Sequence, residues 1–471
     1  MIIFLKDQEL KRIMIINPKT QQAYDLMHRG ILALARAEQQ GIRVDVDYAE
    51  RKKAHLTHKI EYLEGKFRNT KFYRHWEHTT KSKPNINSNF QLASFLYGVK
   101  KLEPIAFTIS GKGSTDEEAL TQLNIPELDA LLEIRKLKKI RDTYLDAFIR
   151  EQVNGYVHPS FNLHLVRTYR SSSDRPNFQN IPKRDKEAMQ TVRKALYPRP
   201  GHQLLEVDYS GLEVRIATCY HKDPTMMRYI NNAGADMHAD IAEQIFMIEN
   251  FDKVGHKILR DAAKNGFVFP EFYGDYYKNC AAGLATKWGQ LSQGKWKPGQ
   301  GIKIPEGYLS DHLIAQGITS FEKFTNHIKG VEEDFWSNRF QAYAEWKDRW
   351  WETYKKYGYV DLLTGFRCSG VMSRNEVINT PIQGAAFHCL LWALIEVDRI
   401  QQAEKWDTKI IGQIHDSIIL DANPEELNHV LKVIRRVTCV DLPKAWPWIV
   451  VPLDVDSDIY PVDGSWAEKE K

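Results

Sequence analysis

Apolar residues recur at helical spacing in the N-terminal third of the chain. Within 18–69, five such positions fall on one side of a helix, namely Leu26, Ile31, Leu32, Leu34 and Ala35. Their spacing follows the 3.6-residue period of an amphipathic helix, which is interrupted at Gly41. A second helical pattern covers 114–151, with Ser114 and Thr115 as candidate N-terminal caps. This third of the chain is therefore predicted to be helical.

The pattern changes to short β-type runs and further helices in the second half. The segment LLEVDYS at 204–210 is an apolar run that is typical of a buried strand, with the carboxylate Asp208 near its end. At 409–422, two β-branched runs flank a two-residue turn, which predicts a β-hairpin. Helical patterning covers 235–275 and 320–356. Together these elements predict an α+β fold.

Composition excludes several classes of protein. The 471 residues are 43% hydrophobic and 27% charged, so the chain can bury a large core and is not a disordered tail. At roughly 100–200 residues per domain, the length predicts about three structural units. The longest apolar stretch, 385–397, is shorter than the ~20 residues that a membrane span needs. Five scattered cysteines without a C-x-x-C pair predict free thiols, and hence a cytoplasmic protein. The N-terminus has only a short apolar run before Lys6 and no small-residue cleavage site, which predicts that it is not a signal peptide.

The charge balance permits a nucleic-acid partner but does not require one. There are 65 Lys and Arg against 61 Asp and Glu, a net charge of +4. Four lysines and two tryptophans, Trp288 and Trp296, lie in a Gly-rich loop at 287–307. The tryptophans could stack on single-stranded template, or they could pack beneath an ordinary surface loop. Both interpretations stay open from the sequence.

Two carboxylates occupy positions that suit metal chemistry. Asp416 follows His415 at the tip of the predicted hairpin, and His-Asp is poor chemistry for a two-residue turn. Such a departure from local rules is more common at a functional site than in an ordinary turn. Asp208 likewise ends a buried strand. If the fold brings them together, their repulsion calls for divalent cations, and hard oxygen ligands suit Mg²⁺.

A cationic and aromatic helix follows at 260–274. Arg260 and Lys264 are four residues apart, so they share a helix face that could bind a triphosphate. Phe269 and Tyr273 have the same spacing and could stack on a base and a ribose. An amphipathic helix with a basic edge and an aromatic core face would show the same pattern.

Nine ordered segments share motifs with one enzyme family. They are EQQGIRVD (38–45), STDEEAL (114–120), RKLKKIRDTY (135–144), TYRSSSDRPNFQNIP (168–182), VDYSGLEVR (207–215), RDAAKNGFVFPEFYG (260–274), GYVDLLTGFR (358–367), NTPIQG (379–384) and GQIHDSI (412–418). In these segments the chain resembles the family A DNA polymerases, the DNA polymerase I family, in a compact phage-like form. The resemblance runs from about residue 20 to the C-terminus.

The resemblance implies a right-hand polymerase fold with an antiparallel-sheet palm, helical fingers and a helical thumb. It implies template-directed addition of deoxynucleotides to a primer 3′ end, with release of pyrophosphate, in phage DNA replication or repair. The expected partners are primer–template DNA and deoxynucleotides. The expected domains are an N-terminal segment 1–20, thumb and connecting region 21–160, first palm part 161–215, fingers 216–356 with an insertion near 287–307, and second palm part 357–471.

The resemblance also implies roles for particular residues. Asp208 and Asp416, with the backbone carbonyl of Tyr209, would hold two Mg²⁺ ions. The residues implied to bind the nucleotide are Glu213, Arg260, Lys264, Phe269 and Tyr273, with Glu213 excluding a ribose 2′-hydroxyl. The residues implied to contact primer–template DNA are Arg170, Asn379, Gln383 and His415.

Two departures from the family pattern leave alternatives open. Ser417 stands where the family usually has Glu, and Gly211 replaces a common Gln. Both lean towards the single-subunit phage RNA polymerases, whereas Glu213 and Phe269 favour a DNA polymerase. A primer-synthesising relative, or a catalytically silent DNA-binding subunit, would also carry these motifs. Ser417 is expected to weaken metal binding or to change fidelity.

The helix at 260–274, called the nucleotide-binding helix below after the role that the resemblance implies, carries a further irregularity. Lys264 and Tyr273 are nine residues apart, one more than is usual, and Pro270 lies within the helix. A proline and an extra residue both fit a π-bulge. The sequence therefore predicts a bulge after Lys264 that turns Phe269, rather than Val268, towards the sugar.

Proofreading is not expected from this sequence. The family's exonuclease domain normally precedes the first helix, where this sequence has only the short segment 1–20. A separate exonuclease or another replisome subunit is an open candidate partner.

Overall fold

The computed structural model of the protein describes residues 18–80, 82–104, 108, 111–183, 185–232 and 234–469. The predicted α+β class is confirmed. The helices before the central sheet are α1 (Pro18–Gln40), α2 (Val46–Arg68), α3 (Lys71–Thr80), α4 (Asn89–Ala93), α5 (Glu117–Gln122), α6 (Pro126–Lys138), α7 (Asp146–Glu151) and α8 (Lys186–Arg193).

Most of the remaining helices form a second unit. They are α9 (Leu212–His221), α10 (Pro224–Asn231), α11 (Met237–Phe246), α12 (Lys257–Ala263), α13 (Phe269–Tyr273), α14 (Tyr277–Ala282), α15 (Leu309–Ala315), α16 (Phe321–Asp334) and α17 (Gln341–Tyr357). The last three are α18 (Arg374–Glu404), α19 (Leu427–Arg436) and α20 (Leu442–Ala445). π-Helical turns extend several of them, at 94–99, 139–145, 264–268, 283–288, 335–339 and 437–441.

The strands are short except in one sheet. They are β1 (Ile42–Val44), β2 (Tyr156–Val157), β3 (Ser160–Asn162), β4 (Ser172–Asp174), β5 (Leu196–Tyr197), β6 (Gln203–Tyr209), β7 (Lys303–Ile304), β8 (Gly307–Tyr308), β9 (Tyr359–Asp361), β10 (Arg367–Ser369), β11 (Lys409–Ile414), β12 (Ser417–Ala422) and β13 (Val455–Ile459).

The central sheet has four antiparallel strands in the order β11-β12-β6-β13. The predicted hairpin is present, because β11 and β12 pair around His415 and Asp416. In β6, Asp208 lies opposite Ser417 of β12 on one side and opposite Asp456 of β13 on the other. Since side chains alternate along a strand, Glu206 shares its face of the sheet with Asp208.

Buried apolar side chains form two large clusters. One joins the helices α1–α8, the central sheet and the C-terminal part of α18. The other fills the unit from α9 to α17 and includes Ile378 and Ile382 of α18. The second unit is thus attached to the sheet through α9 and α18, which places it over the strand ends that carry Asp208 and Asp416.

Local structure departs from the sequence-based expectations in two places. The break at Gly41 leads into strand β1 rather than directly into another helix. At the start of α5 the capping residue is Asp116, whose carboxylate accepts from the Ala119 N–H at 2.8 Å. Ser114 donates to Asp116 instead of capping the helix, because it lies two residues before the capping position.

The loop at 287–307 is partly structured. It contains β7 and is followed by β8, with which β7 pairs. Trp296 is only 6% exposed, packs on Phe324 and donates to the Ser292 carbonyl. Trp296 therefore packs beneath the loop and is not presented for stacking, whereas Trp288 is partly buried against the second unit.

Helix α18 is long and apolar enough to cross a membrane by length and composition alone. In the structure, 83% of its most apolar 18-residue window is buried. This is the burial expected for a central core helix.

Candidate active site

The two candidate metal-binding carboxylates lie side by side at the end of the central sheet. Asp208 is near the end of β6, and Asp416 is in the turn between β11 and β12. The Tyr209 N–H donates to the Asp416 carbonyl at 3.2 Å, which ties the turn to the strand. Burial, followed by the nearby charge of Asp208, raises the pKa of Asp416 well above its usual value. A cation bound between the two carboxylates would offset their repulsion.

The donors at this position fit a hard divalent cation. Both groups are carboxylates on rigid sheet elements, and oxygen ligands with open positions suit Mg²⁺ with bound phosphate. Among the described residues, no group of three or more His, Cys, Asp or Glu side chains is arranged to hold a metal ion. Two carboxylates alone would leave coordination positions for a substrate, which is the arrangement of a catalytic rather than a structural metal site.

Neighbouring side chains contact both oxygens of Asp208. Ser417 Oγ lies 2.7 Å from Asp208 Oδ1. Lys183 Nζ lies 3.8 Å from Asp208 Oδ2 and 3.1 Å from Glu206 Oε1. Lys183 supplies a positive charge beside the acidic pair.

The predicted π-bulge is present in the nucleotide-binding helix. Residues Lys264–Val268 form a π-helical turn between α12 and α13, and the Phe269 N–H donates to the Lys264 carbonyl, five residues back. The wider turn places Pro270 at the start of α13, where it displaces no α-helical hydrogen bond. Val268 is fully buried in the core of the second unit, whereas Phe269 lines a cavity at the site.

That cavity gathers many of the residues that the sequence had indicated. It has a volume of about 180 Å³ and lies between α9, α13, α18 and the hairpin turn. The predicted site residues that line it are Glu213, Phe269, Tyr273, Asn379, Gln383 and Asp416. The remaining wall is mainly apolar, so the cavity offers a sugar-sized apolar surface next to a carboxylate.

A chain of polar contacts connects four of the predicted residues. Arg170 forms an ion pair with Glu213, and the Tyr273 hydroxyl donates to the other oxygen of Glu213. The Asn379 side-chain amide donates to the Tyr273 carbonyl at 3.1 Å. Glu213 therefore joins the sheet side of the site to the nucleotide-binding helix.

The cationic face of this helix lies beside the cavity. Lys264 Nζ is 5.5 Å from the centre of the Phe269 ring. Arg260 Nε donates to Asp236 Oδ2 at 2.8 Å, so it is paired with a protein carboxylate in this structure. His238 packs edge-on against Phe269. Burial, together with the charges of Lys264 and Arg260, lowers the pKa of His238 to about 4.

The structure places His415 and Tyr209 beside the carboxylates. His415 adopts a left-handed backbone conformation with φ of 53°, and its carbonyl accepts from the Gln413 side chain at 3.3 Å. Tyr209 is 3% exposed, with its phenol buried beneath the sheet, so only its backbone can take part in the site.

Sequence reasoning missed three residues of this site. Glu206 could have been found, because strand alternation puts it on the same face as Asp208. Lys183 and His238 gave no comparable signal, since their contacts with Asp208 and Phe269 join segments that are distant in sequence.

A family model for "DNA polymerase family A" matches residues 47–293 and 321–466. The chain belongs to DNA polymerase family A. The stretch 294–320, which the family model leaves unmatched, overlaps the insertion expected near 287–307.

Several curated members of family A are similar in sequence. DNA polymerase I of Chloroflexus aurantiacus is 29% identical over 406 residues, which are 82% of this chain and 37% of that protein. DNA polymerase I of Aquifex aeolicus is 30% identical over 407 residues, 86% of this chain and 61% of that protein. The thermostable DNA polymerase I of Thermus filiformis is 27% identical over 429 residues, which are 90% of this chain and 46% of that protein. The chain thus spans 37% to 61% of the length of these relatives.

A solved family A structure has the same fold. The POL domain of Pol1 from M. smegmatis, in complex with DNA primer-template and dNTP, superposes with a TM-score of 0.72 at 23% identity. The superposition covers 98% of this chain and 73% of that chain. The protein therefore has the right-hand polymerase fold, with an antiparallel-sheet palm, helical fingers and a helical thumb. Below, the central sheet is called the palm, the unit from α9 to α17 the fingers, and the helices α2–α7 the thumb.

Proposed function

We propose that this chain is a template-directed DNA polymerase that adds deoxynucleotides to a primer 3′ end. The primer 3′-hydroxyl loses its proton to solvent and its oxygen bonds to the α-phosphorus of the nucleotide. The bond between the α-phosphorus and the bridging oxygen breaks, and pyrophosphate leaves. Membership of family A supports this reaction. The proposed setting is DNA replication or repair in the cytoplasm.

One observation carries the proposal: Asp416, one of the two carboxylates, and the nucleotide-binding helix line the same cavity. Asp416 lines it from the palm, and Phe269 and Tyr273 line it from the fingers. Phosphoryl transfer needs little covalent chemistry from the protein, so positioning and charge stabilisation account for most of the catalysis. The acidic pair and the cationic residues of this helix would provide both.

We propose that Asp208 and Asp416 hold two Mg²⁺ ions, with the Tyr209 carbonyl as a further ligand. Such ions, when bound, lower the pKa of the primer hydroxyl and stabilise the charge on the α-phosphate and pyrophosphate. The protein's part is to hold both carboxylates at one edge of the palm. The like charge of Asp208 beside Asp416 favours a bound cation, which would offset the repulsion between the two carboxylates.

The cationic helix is proposed to bind the triphosphate. Arg260 and Lys264 would pair with the β- and γ-phosphates, and Arg260 would exchange Asp236 for phosphate oxygens. His238 lies next to this pair and is proposed to donate to the same phosphates, since negative charge there would offset the cations that lower its pKa.

The cavity is proposed to select the sugar. Phe269 would lie against the ribose, and Glu213, held by Arg170 and Tyr273, would occupy the position of a 2′-hydroxyl. Ion pairing on one oxygen and hydrogen bonding on the other give this carboxylate a fixed place.

Primer–template contacts are proposed at the palm surface around the carboxylates. Arg170, Asn379, Gln383 and His415 would contact the primer terminus and its template, which positions the duplex without reading its sequence.

Primer extension tests the proposed function. The purified chain is incubated with a 5′-labelled primer–template and either deoxynucleotides or ribonucleotides, with and without Mg²⁺. Templated extension with deoxynucleotides only, and only with Mg²⁺, is expected. Equal use of ribonucleotides would indicate an RNA polymerase or primer-synthesising activity, and duplex binding without extension would indicate a silent DNA-binding subunit.

A further inference from the structure

The palm carries a buried carboxylate that the proposed mechanism does not use. Glu206 lies in β6 and is only 2% exposed. A buried charge is costly unless it is paired and hydrogen-bonded. Its contacts therefore indicate what it stabilises.

One oxygen of Glu206 contacts two groups that both contact Asp208. Lys183 has protons for both carboxylates, whereas the single proton of Ser417 is donated to Asp208, the nearer acceptor. Glu206 Oε1 is 3.3 Å from Ser417 Oγ and 3.1 Å from Lys183 Nζ. The same Ser417 Oγ is 2.7 Å from Asp208 Oδ1, and the same Lys183 Nζ is 3.8 Å from Asp208 Oδ2. Each oxygen of Asp208 is thus contacted by a group that Glu206 also contacts.

The other oxygen of Glu206 has two further partners. Glu206 Oε2 is 3.5 Å from Arg193 Nη1 and 3.5 Å from the Tyr460 hydroxyl. The guanidinium of Arg193 is stacked over Trp466, 4.5 Å from the ring centre. Both oxygens of Glu206 therefore have partners that limit the movement of its carboxylate. A carboxylate held in this way also limits the movement of the Ser417 and Lys183 side chains that contact it.

We propose that Glu206 is a positioning residue that orients Asp208 for metal binding through Ser417 and Lys183. At position 417 this chain has the hydroxyl of Ser417 where the family motif usually has an acid. Glu206 supplies a carboxylate two residues before Asp208 in the same strand and on the same face of the sheet. The inference rests on the proposed function, since it assigns Asp208 to the metal. Groups that orient a metal ligand typically change metal affinity by about 10- to 100-fold when removed.

Three variants and one control test this proposal. Glu206→Gln removes the charge that anchors Lys183, Ser417→Ala removes the hydroxyl contact, and Ser417→Thr keeps that hydroxyl. Asp458→Asn is the matched control. Asp458 lies directly opposite Glu206 in β13 and pairs with Lys469, so the variant loses the same charge without a contact to Asp208.

Metal binding is measured without nucleotide, by electron paramagnetic resonance of Mn²⁺ titrated into the full chain. The Mg²⁺ concentration for half-maximal extension and the KM for deoxynucleotide are measured in parallel. We expect Glu206→Gln to weaken Mn²⁺ binding about tenfold and to raise the Mg²⁺ requirement similarly, with a smaller change in KM. Ser417→Ala should shift both in the same direction, and Ser417→Thr should restore most of the loss.

The results that overturn the proposal are distinct from failure of the proposed function. Equal shifts in Asp458→Asn and Glu206→Gln would mean that only the total charge of the sheet matters. Unchanged Mn²⁺ binding in Ser417→Ala would mean that the contact does not orient Asp208. If Glu206→Gln fails to fold, as its thermal unfolding would reveal, Glu206→Asp takes its place, since it keeps the charge and withdraws the carboxylate from Ser417 and Lys183. Unchanged Mn²⁺ binding in Glu206→Asp would then overturn the proposal. Absence of extension by the wild-type chain would reject the proposed function instead, and the Mn²⁺ titrations would still test the orienting contact.

Discussion

Phe269 and Val268 are adjacent in the nucleotide-binding helix, but their environments differ. Val268 is buried in the fingers core, and Phe269 lines the cavity. A tyrosine hydroxyl at a sugar-facing position could replace a missing 3′-hydroxyl. Phe269→Tyr should therefore raise incorporation of dideoxynucleotides relative to deoxynucleotides by about tenfold or more, ~1.4 kcal/mol at the transition state.

The matched variant for that measurement is Val268→Tyr. Enlarging a buried side chain should lower stability by about 1–3 kcal/mol and leave sugar selection unchanged. A change in dideoxynucleotide use at position 268 and not at 269 would contradict the bulged register.

Glu213 links the two sides of the cavity, so its removal has two consequences. Glu213→Ala should open space for a 2′-hydroxyl and raise the relative kcat/KM for ribonucleotides by at least tenfold, ~1.4 kcal/mol. It should also release Arg170 and Tyr273. Tyr273→Phe, which loses only the hydroxyl contact to Glu213, is the control. A ribonucleotide preference that rises equally in both variants would assign the selection to the Tyr273 contact and not to the volume of Glu213.

The lowered pKa of His238 predicts that the free energy of unfolding depends on pH. Its pKa in the folded chain is about 4, lowered by burial and by neighbouring cations, against about 6.5 when unfolded. Between these values the unfolded state binds more protons, so the free energy of unfolding should fall as the pH decreases from 6.5 to 4. Since His238 is partly exposed, roughly 1–2 kcal/mol is expected.

Urea unfolding at several pH values checks this dependence. Between pH 6.5 and pH 4, the free energy of unfolding should fall less in His238→Gln than in the wild type. Above pH 7, the difference in free energy of unfolding between the two proteins should not change with pH. Parallel curves for the two proteins over this range would show that His238 is not held neutral by its surroundings.

At the scale of elements, His415 in the hairpin turn has a strained backbone and a side chain that is proposed to contact DNA. His415 has a left-handed backbone, a conformation that costs most residues about 1–2 kcal/mol and that Gly and Asn adopt readily. His415→Gly should therefore raise the free energy of unfolding by about 0.5–1 kcal/mol. If the side chain also contacts DNA, the same variant should bind primer–template less tightly.

Fluorescence anisotropy with labelled primer–template separates the two effects. His415→Asn, which keeps a polar side chain and tolerates the turn, is the control. Unchanged affinity in His415→Gly would limit the role of His415 to the backbone of the turn.

Elements with a strong local signal could be predicted from the sequence. The strand that ends near Asp208, the hairpin around Asp416 and the π-bulge after Lys264 each follow from periodicity, turn length or an extra residue with a proline. The cap of α5 was assigned wrongly because several capping residues occur together at 114–116 and only the backbone decides among them.

Contacts between distant segments could not be predicted in this way. Arg260 pairs with Asp236 across 24 residues, and Ser417 contacts Asp208 across 209. Such contacts depend on how α11 packs on α12 and on the strand register, which a single sequence does not specify. The residue types of the site were therefore predictable, but the network that orients Asp208 was not.

At the scale of the whole molecule, two separately packed units meet at the proposed site. The fingers have their own core, and α9 and α18 connect that core to the palm. The thumb and fingers also touch, through an ion pair between Lys287 and Glu118 at 3.2 Å. Both side chains are about half exposed, so this pair contributes at most about 1 kcal/mol. The proposed site is thus formed where the palm and the fingers meet.

The expectation that these 471 residues do not proofread stays a prediction. A primer with a mismatched 3′ end, incubated with the pure chain and Mg²⁺ without nucleotides, should keep its length. Shortening that co-purifies with the chain would contradict it.

The central claim is that Asp208 and Asp416 together carry out the chemical step. Single-turnover extension of a bound primer–template by Asp208→Asn and by Asp416→Asn tests it most directly, with duplex affinity measured on the same preparations. Each substitution keeps the side-chain size and removes one metal-binding charge. The account predicts loss of at least about a thousandfold in rate, ~4 kcal/mol, with duplex affinity retained. More than a few per cent of wild-type extension in either variant would contradict it.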